Sequence, residues 1–241
     1  MGAIVGENDG TISAVYVSGF MNGSALAGVA CTNKGIIDSC VIRLKISGNA
    51  LSGIVNVNDT GAVVSNVLFV GTIKGIGGLS LIYSNRTATV RNVRLDSSEI
   101  EGNEVSGCVY SNDGGIIRNV TVSSSRLLAD MVAGGLVYSN SGIIDSAQVK
   151  NTIIDALFAF GGAVYKNNAS AKMSNVHVKN VAIVRGSYGG GFADENHGLI
   201  ERSFSVGSIA FDDSSLIPVV GGFVGQNSGT IRKSYASTKI Q

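Results

Sequence analysis

The chain has two histidines, His177 and His197, and histidine is the side chain best suited to moving a proton near neutral pH. A zinc-peptidase site needs His-Glu-x-x-His. His177 is followed by Val178 and His197 by Gly198, so neither opens that motif. His177 stands in the alternating run SNVHVKNV and reads as an outward-facing strand residue; His197 sits at the tip of an Asn-His-Gly turn. Serine is abundant, so a Ser-His-Asp arrangement is compatible with the composition, but no Gly-x-Ser-x-Gly elbow lies between a strand and a helix. The cysteines are Cys31, Cys40 and Cys108. Their odd number and wide spacing favour buried free thiols over a disulfide framework or a zinc site.

Cleavage of a glycosidic bond asks for two carboxyl groups about 5–10 Å apart. Asp38 and Asp145 hold equivalent positions in the chain's pattern, but distant ones. The best acidic locus is Asp212-Asp213, in a long connector near Asp194, Glu201 and Arg202; a solvated loop is the simpler reading. Asp194 and Glu195 follow a glycine run in YGGGFADEN (188–196), where a cation could meet two carboxylates. Those glycines are already required by the repeat described below. The calcium repeat Gly-Gly-x-Gly-x-Asp and the EF-hand loop are both missing. No catalytic residue, metal or cofactor is expected.

The formal net charge is +1, from 18 basic and 17 acidic residues with no block of one sign, which argues against a nucleic-acid partner. No apolar run approaches the about 20 residues that span a bilayer, so no membrane insertion is expected. The N-terminus lacks a signal peptide's basic start and apolar stretch. Met1 directly precedes a repeat, as expected of a piece of a longer protein with flanking domains.

What could position any such residues is a repeat. With 33 Gly, 1 Pro and 0 Trp, and abundant Val and Ile, the chain reads as strands separated by turns. One unit recurs, clearest in GGLVYSNSGIIDSAQV (134–149) and GGFVGQNSGTIRKSYA (221–236). Its register is marked by Asn8, Asn33, Asn58, Asn85, Asn112, Asn140, Asn167, Asn196 and Asn227, at intervals of 25 to 31 residues. A small residue stands five positions before each Asn, and an aliphatic residue or Met follows each turn. A second small polar position comes next, from Ser39 and Asn66 to Ser203 and Ser234.

One unit cannot bury its apolar face alone, whereas stacked units bury a continuous core. The expected fold is all-β: a single-domain parallel β-solenoid over residues 1–241, of about nine coils of about 27 residues with three short strands each. A rise of about 4.8 Å per coil gives a rod about 40 Å long. In such a stack the nine Asn form a structural ladder, each amide donating and accepting along the axis. Leucine-rich and propeller alternatives lack their motifs and spacing.

One column is not demanded by this fold. Two residues before the Asn, four consecutive units carry Tyr83, Tyr110, Tyr138 and Tyr165, while others carry Gly6, Cys31, Asn56, Asp194 and Gly225. Stacked tyrosines offer a wide amphipathic contact surface, so these four are the candidate binding residues, for a host protein or a glycan. They are expected to form one continuous stack with hydroxyls reaching solvent, and Asp194 and Asn56 in the same column imply at least partial exposure. The residues four and three before the Asn are apolar throughout, which strict alternation cannot bury together, so a bend or bulge is expected there.

The pattern Gly-Gly-aliphatic-Val-x-x-Asn-x-Gly-x-Ile-x-x-Ser resembles the GLUG motif, most closely at 134–146, 221–234 and 189–203. Units three, four and seven depart from it, with enlarged turns at Asp59-Thr60, Arg86-Thr87 and Asn168-Ala169-Ser170. The resemblance covers nearly the whole chain. GLUG repeats occur in large secreted or surface bacterial proteins, among them immunoglobulin A1-specific metallopeptidases, where they lie outside the catalytic domain, and filamentous haemagglutinin-like adhesins. It implies a secreted or cell-surface bacterial setting and a stalk or adhesive role, without peptidase activity here. The alternative is a carbohydrate-active β-helix enzyme, of the polysaccharide lyase or glycoside hydrolase type.

Overall fold

Each unit's Asn-Gly turn separates two short apolar strands, and each strand can bury its inward side chains only against its counterparts in neighbouring units. The computed structural model, which describes residues 1–210 and 219–241, shows the solution: a stacking of equivalent strands, paired in parallel, into a β-solenoid with no helix among the described residues. Strands ending in the repeat Asn, such as Val137–Asn140, make one face; three-residue strands such as Ile143–Asp145 make the second; longer strands such as Arg126–Gly134 make the third. The second face is a sheet of nine strands, hence about eight full turns. The other two faces join through Gly78–Arg86, which pairs with Glu99–Ser106 on one side of a corner and Val109–Asp113 on the other.

Register follows the repeat: Asn112 pairs with Asn140, Asn196 with Asn227, and Ile117 with Ile144. The aliphatic column after the turn (Ile37, Val64, Val90, Ile117, Ile144, Met173 and Ile200) is fully buried. Each such side chain contributes about 1.5–3 kcal/mol relative to exposure. The two apolar positions before the Asn are both buried, as at Leu136 and Val137. The chain achieves this by a bulge: the Ala163 carbonyl accepts from Leu136 N at 2.6 Å and from Val137 N at 3.2 Å. The small residue ahead of it is explained by close approach, since a β-carbon on Gly162 would stand 1.9 Å from the Gly191 carbonyl oxygen. Where Ser80 replaces glycine, the register shifts between Ser80 and Ile82.

The second small polar position marks a corner where the backbone turns left-handed, at Ser39, Asn66, Asn92, Asn119, Ser146 and Asn175. In the last two units that corner belongs to Arg202 and Lys233. The expected Ser203 and Ser234 are one residue late, and Ser203 is buried, its Oγ donating to the Glu201 carbonyl at 2.9 Å. The third face is the least regular, as its sequence suggests: Arg126–Gly134 is met in the next coil by two strands, Ile153–Ala156 and Ala159–Gly161. The eighth connector, with Asp212, Asp213 and Pro218, lies outside the described residues.

Candidate functional site: a tyrosine stripe and the acidic cleft at its end

The nine repeat asparagines form one hydrogen-bonded file. Asn8 Nδ2 donates to Asn33 Oδ1 at 2.7 Å, Asn85 to Asn112 at 2.8 Å, Asn112 to Asn140 at 2.8 Å and Asn196 to Asn227 at 2.7 Å; Asn33, Asn58, Asn140 and Asn167 complete it. From Asn33 to Asn196 the side chains are fully buried. Such groups are tolerated inside only because each finds its partner.

Two positions earlier, at the corner between the first and third faces, the four tyrosines come together. Tyr83 and Tyr110 stack with centroids 4.9 Å apart and planes 5° from parallel; Tyr110 and Tyr138 lie at 4.5 Å and 13°; Tyr165 follows Tyr138 at 4.9 Å, tilted by 42°. Tyr83 is 40% exposed and the other three are half-buried. The rings therefore lie along the surface beyond the bulge. Gly78 makes room for them, because a β-carbon there would lie 2.5 Å from Tyr110 Cε2.

The hydroxyls depart from the expected solvent contact. Tyr110 donates to Glu104 Oε2 and Tyr138 to Glu104 Oε1 at 3.0 Å. Burial, and then the Glu104 carboxylate, push both phenols above their usual range. Glu104 belongs to a second column across the corner, Gly78, Glu104, Val132, Ala159, Tyr188 and Val219. It stands seven or eight residues before the Asn, ahead of the motif as spelled from its small residue, and that spacing is the signal that would have found it.

One coil beyond Tyr165, the tyrosine column passes to Asp194. The expectation that an acid here implies exposure is overturned: Asp194 is 4% exposed and its Oδ1 has no hydrogen-bond partner. Burial, then the charge of Glu195, push its carboxyl up to about 7 against the pull of Lys166. Its neighbour Glu195 is held below the ordinary range by Lys166 Nζ at 2.8 Å and by His197. Asn56, in the same column, is half-buried.

His197 also reaches Ser228: Nδ1 lies 2.6 Å from Ser228 Oγ, and Nε2 lies 3.0 Å from Glu195 Oε2. This Ser-His-Glu chain has no signal in the sequence, because its members come from two different turns. The neighbouring Ser228 and Gly229 backbone N–H groups both donate to the Asn196 carbonyl, at 2.9 and 3.0 Å, so neither is free to hold an oxyanion. His177 is elsewhere, stacked on Phe204 at 4.3 Å, with burial lowering its basicity.

The Asp212-Asp213 pair of the expected acidic locus lies outside the described residues, and the acids named beside it, Glu201 and Asp194, stand on different faces. Glu201 lies on the second face, tied to Arg202 and Arg232 at 2.7 and 2.8 Å, whereas Asp194 is on the first. Asp38 and Asp145 serve the next coil alike: Asp38 accepts from Ser65 and Asn66, Asp145 from Ser174 and Asn175. Those hydrogen bonds hold both carboxyls below their ordinary range. No group of three or more His, Cys, Asp or Glu side chains suited to a metal occurs among the described residues, and no helix there is long and apolar enough to cross a membrane. No protein-family model matches the chain, and no curated protein or solved structure matches it either, so its functional reading rests on these residues.

Proposed function

We propose that the chain is a non-catalytic repeat module of a large secreted or cell-surface bacterial protein of the GLUG-repeat kind, acting as a stalk that presents a binding stripe to a host protein or glycan. The observation that carries this reading is the row of Tyr83, Tyr110, Tyr138 and Tyr165, stacked outside the core. Other coils fill the same column with Gly6, Cys31 or Gly225, so the fold itself does not call for aromatic rings there. Flat, partly desolvated aromatic surface is the common currency of protein and sugar recognition. The test is a glycan array and a host-protein pull-down with the intact chain and with Tyr110→Ser/Tyr138→Ser. Binding by the intact chain that the folded double variant loses supports the stripe; equal binding by both, or none by either, removes it and leaves a spacer.

A second reading, a hydrolase, is favoured by one contact set, the Ser228–His197–Glu195 chain. A fluorophosphonate probe and a reducing-sugar assay address it. Covalent labelling of Ser228, or release of reducing ends, would replace the non-catalytic reading.

A further inference from the structure

Beside Tyr165 the corner opens into a cleft of about 150 Å³ whose lining includes Phe158, Tyr165, Tyr188, Asp194, Glu195 and Gln226. Its polar side is incomplete. Asp194 Oδ1 is buried without a partner, an arrangement that needs a reason in a folded protein. The column supplies none: the Tyr165 hydroxyl does not bond this oxygen, and Gly225 on the other side has no side chain. Gly225 packs against the carboxyl with no side chain of its own to offer it a donor, and a β-carbon there would crowd three oxygens. The three atoms nearest to where its β-carbon would stand are Asp194 Oδ1 and the Gly189 and Asp194 carbonyl oxygens, at 2.9, 2.9 and 3.0 Å. All three are acceptors.

The nearest cation is already engaged: Lys166 Nζ sits on Glu195 Oε2 at 2.8 Å. The apolar side is aromatic. Phe158 and Tyr188 meet at 5.2 Å with their planes 44° apart, and Phe158 is largely exposed. Ring faces attract a cation within about 6 Å, and the Asp194 and Glu195 charges already bear on the Tyr165 phenol. A sugar hydroxyl brings one donor and also needs donors in return; an ammonium brings three donors and needs only acceptors.

We propose that this cleft binds an alkylammonium group, with its N–H donors directed to Asp194 and its carbon stem against Tyr188 and Phe158. The group could be carried by a lysine side chain or by a free polyamine. The cleft shares only Tyr165 with the tyrosine stripe, and the Tyr110→Ser/Tyr138→Ser variant that tests the stripe leaves the cleft lining intact.

The charged and titratable groups facing Asp194 among the described residues are Glu195, Lys166, Tyr165 and Tyr188, with His197 acting through Glu195. An alkylamine stays protonated to about pH 10, so the pH dependence of binding below that reports the protein. Only the ionised carboxyl attracts the cation, and affinity scales with the competent fraction. Butylammonium should therefore bind about tenfold more tightly at pH 8 than at pH 6.

The experiment titrates the whole chain with butylammonium, 1-butanol and methyl glucoside, followed by tyrosine fluorescence and calorimetry, alongside Asp194→Asn and Tyr188→Leu. Expected are saturable binding of butylammonium alone, at least tenfold loss in Asp194→Asn with its thermal transition retained, and a smaller loss in Tyr188→Leu. Comparing N-acetyl-lysine methylamide with 1,5-diaminopentane identifies which source is preferred. Equal binding of butanol, binding of the glucoside without the amine, unchanged affinity in Asp194→Asn, or no binding at all would overturn the proposal.

Discussion

Tyr110 and Tyr138, one coil apart, share a single acceptor: each hydroxyl donates to a different oxygen of Glu104. The carboxylate thus clamps the two rings from across the corner while they stack at 4.5 Å. Glu104→Gln should weaken both bonds. We expect a loss of about 1 kcal/mol and a shift of the phenolate absorbance titration to lower pH: Tyr110 and Tyr138 should ionise earlier than in the parent, though still late, because burial is the first cause of their elevation. An unchanged titration would show that Glu104 does not hold the hydroxyls in solution.

The asparagine file predicts a position effect. Asn112 accepts from Asn85 and donates to Asn140 and to the Gly115 carbonyl, whereas Asn8, in the first coil, accepts from no other Asn of the file. Asn112→Ala should cost about 1–3 kcal/mol for each buried group left unpaired, and Asn8→Ala clearly less. Thermal melts of the two variants decide; equal losses would mean that the file is not what stabilises the turn.

Asp194 predicts a pH-dependent stability difference. Its native carboxyl is pushed up to about 7 from the ordinary 3.8. Between those values the folded protein retains a proton that the unfolded chain has released. Stability therefore declines as pH rises through this window, and the deficit is complete above it. Asp194→Asn should gain about 2 kcal/mol at pH 8, or about 4–8 °C for a chain of this size, and almost nothing at pH 4. Melts at the two pH values check the sign; a gain at pH 4 equal to that at pH 8 would contradict it.

The thiols should separate by access. Cys108 is fully buried and its thiol is pushed up to about 12; Cys40 is also buried, and raised by that burial. Cys31 is half-buried beside Asn56 Nδ2, 3.5 Å away. An aromatic disulfide reagent should modify Cys31 alone in the native protein and all three cysteines after denaturation, as mass spectrometry of the peptides would show.

The coil, its register and the bulge are legible in the sequence because each repeats a physical need. A buried amide must meet another amide, and two successive apolar residues cannot face inward without breaking the pleat. The stacked tyrosines are legible because they recur at one position of four consecutive units. Contacts between columns are not. The spacing of Glu104 ahead of the motif marks its column, but its contact with Tyr110 crosses a corner and follows from the corner's shape. Asp194 misleads in another way: a charge ordinarily signals exposure, yet here Gly225 and the rings of Tyr165 and Tyr188 enclose it, and the carboxyl gains a proton more readily instead. At Arg202 and Lys233 the left-handed corner is set by the backbone path of the coil, and long charged side chains hide a position that small polar residues mark elsewhere.

Every bond in the asparagine file runs the same way, from the Nδ2 of one coil to the Oδ1 of the next. The file is therefore a vector. Its first member offers an oxygen outward, and its last turns its amide back to the Gly229 carbonyl at 3.2 Å. Rotating one interior amide would set donor against donor on one side and acceptor against acceptor on the other, so the direction can be reversed only by all members together. Aligned bonds polarise one another, and this gives the solenoid an axial electrical asymmetry in a chain whose net charge is only +1.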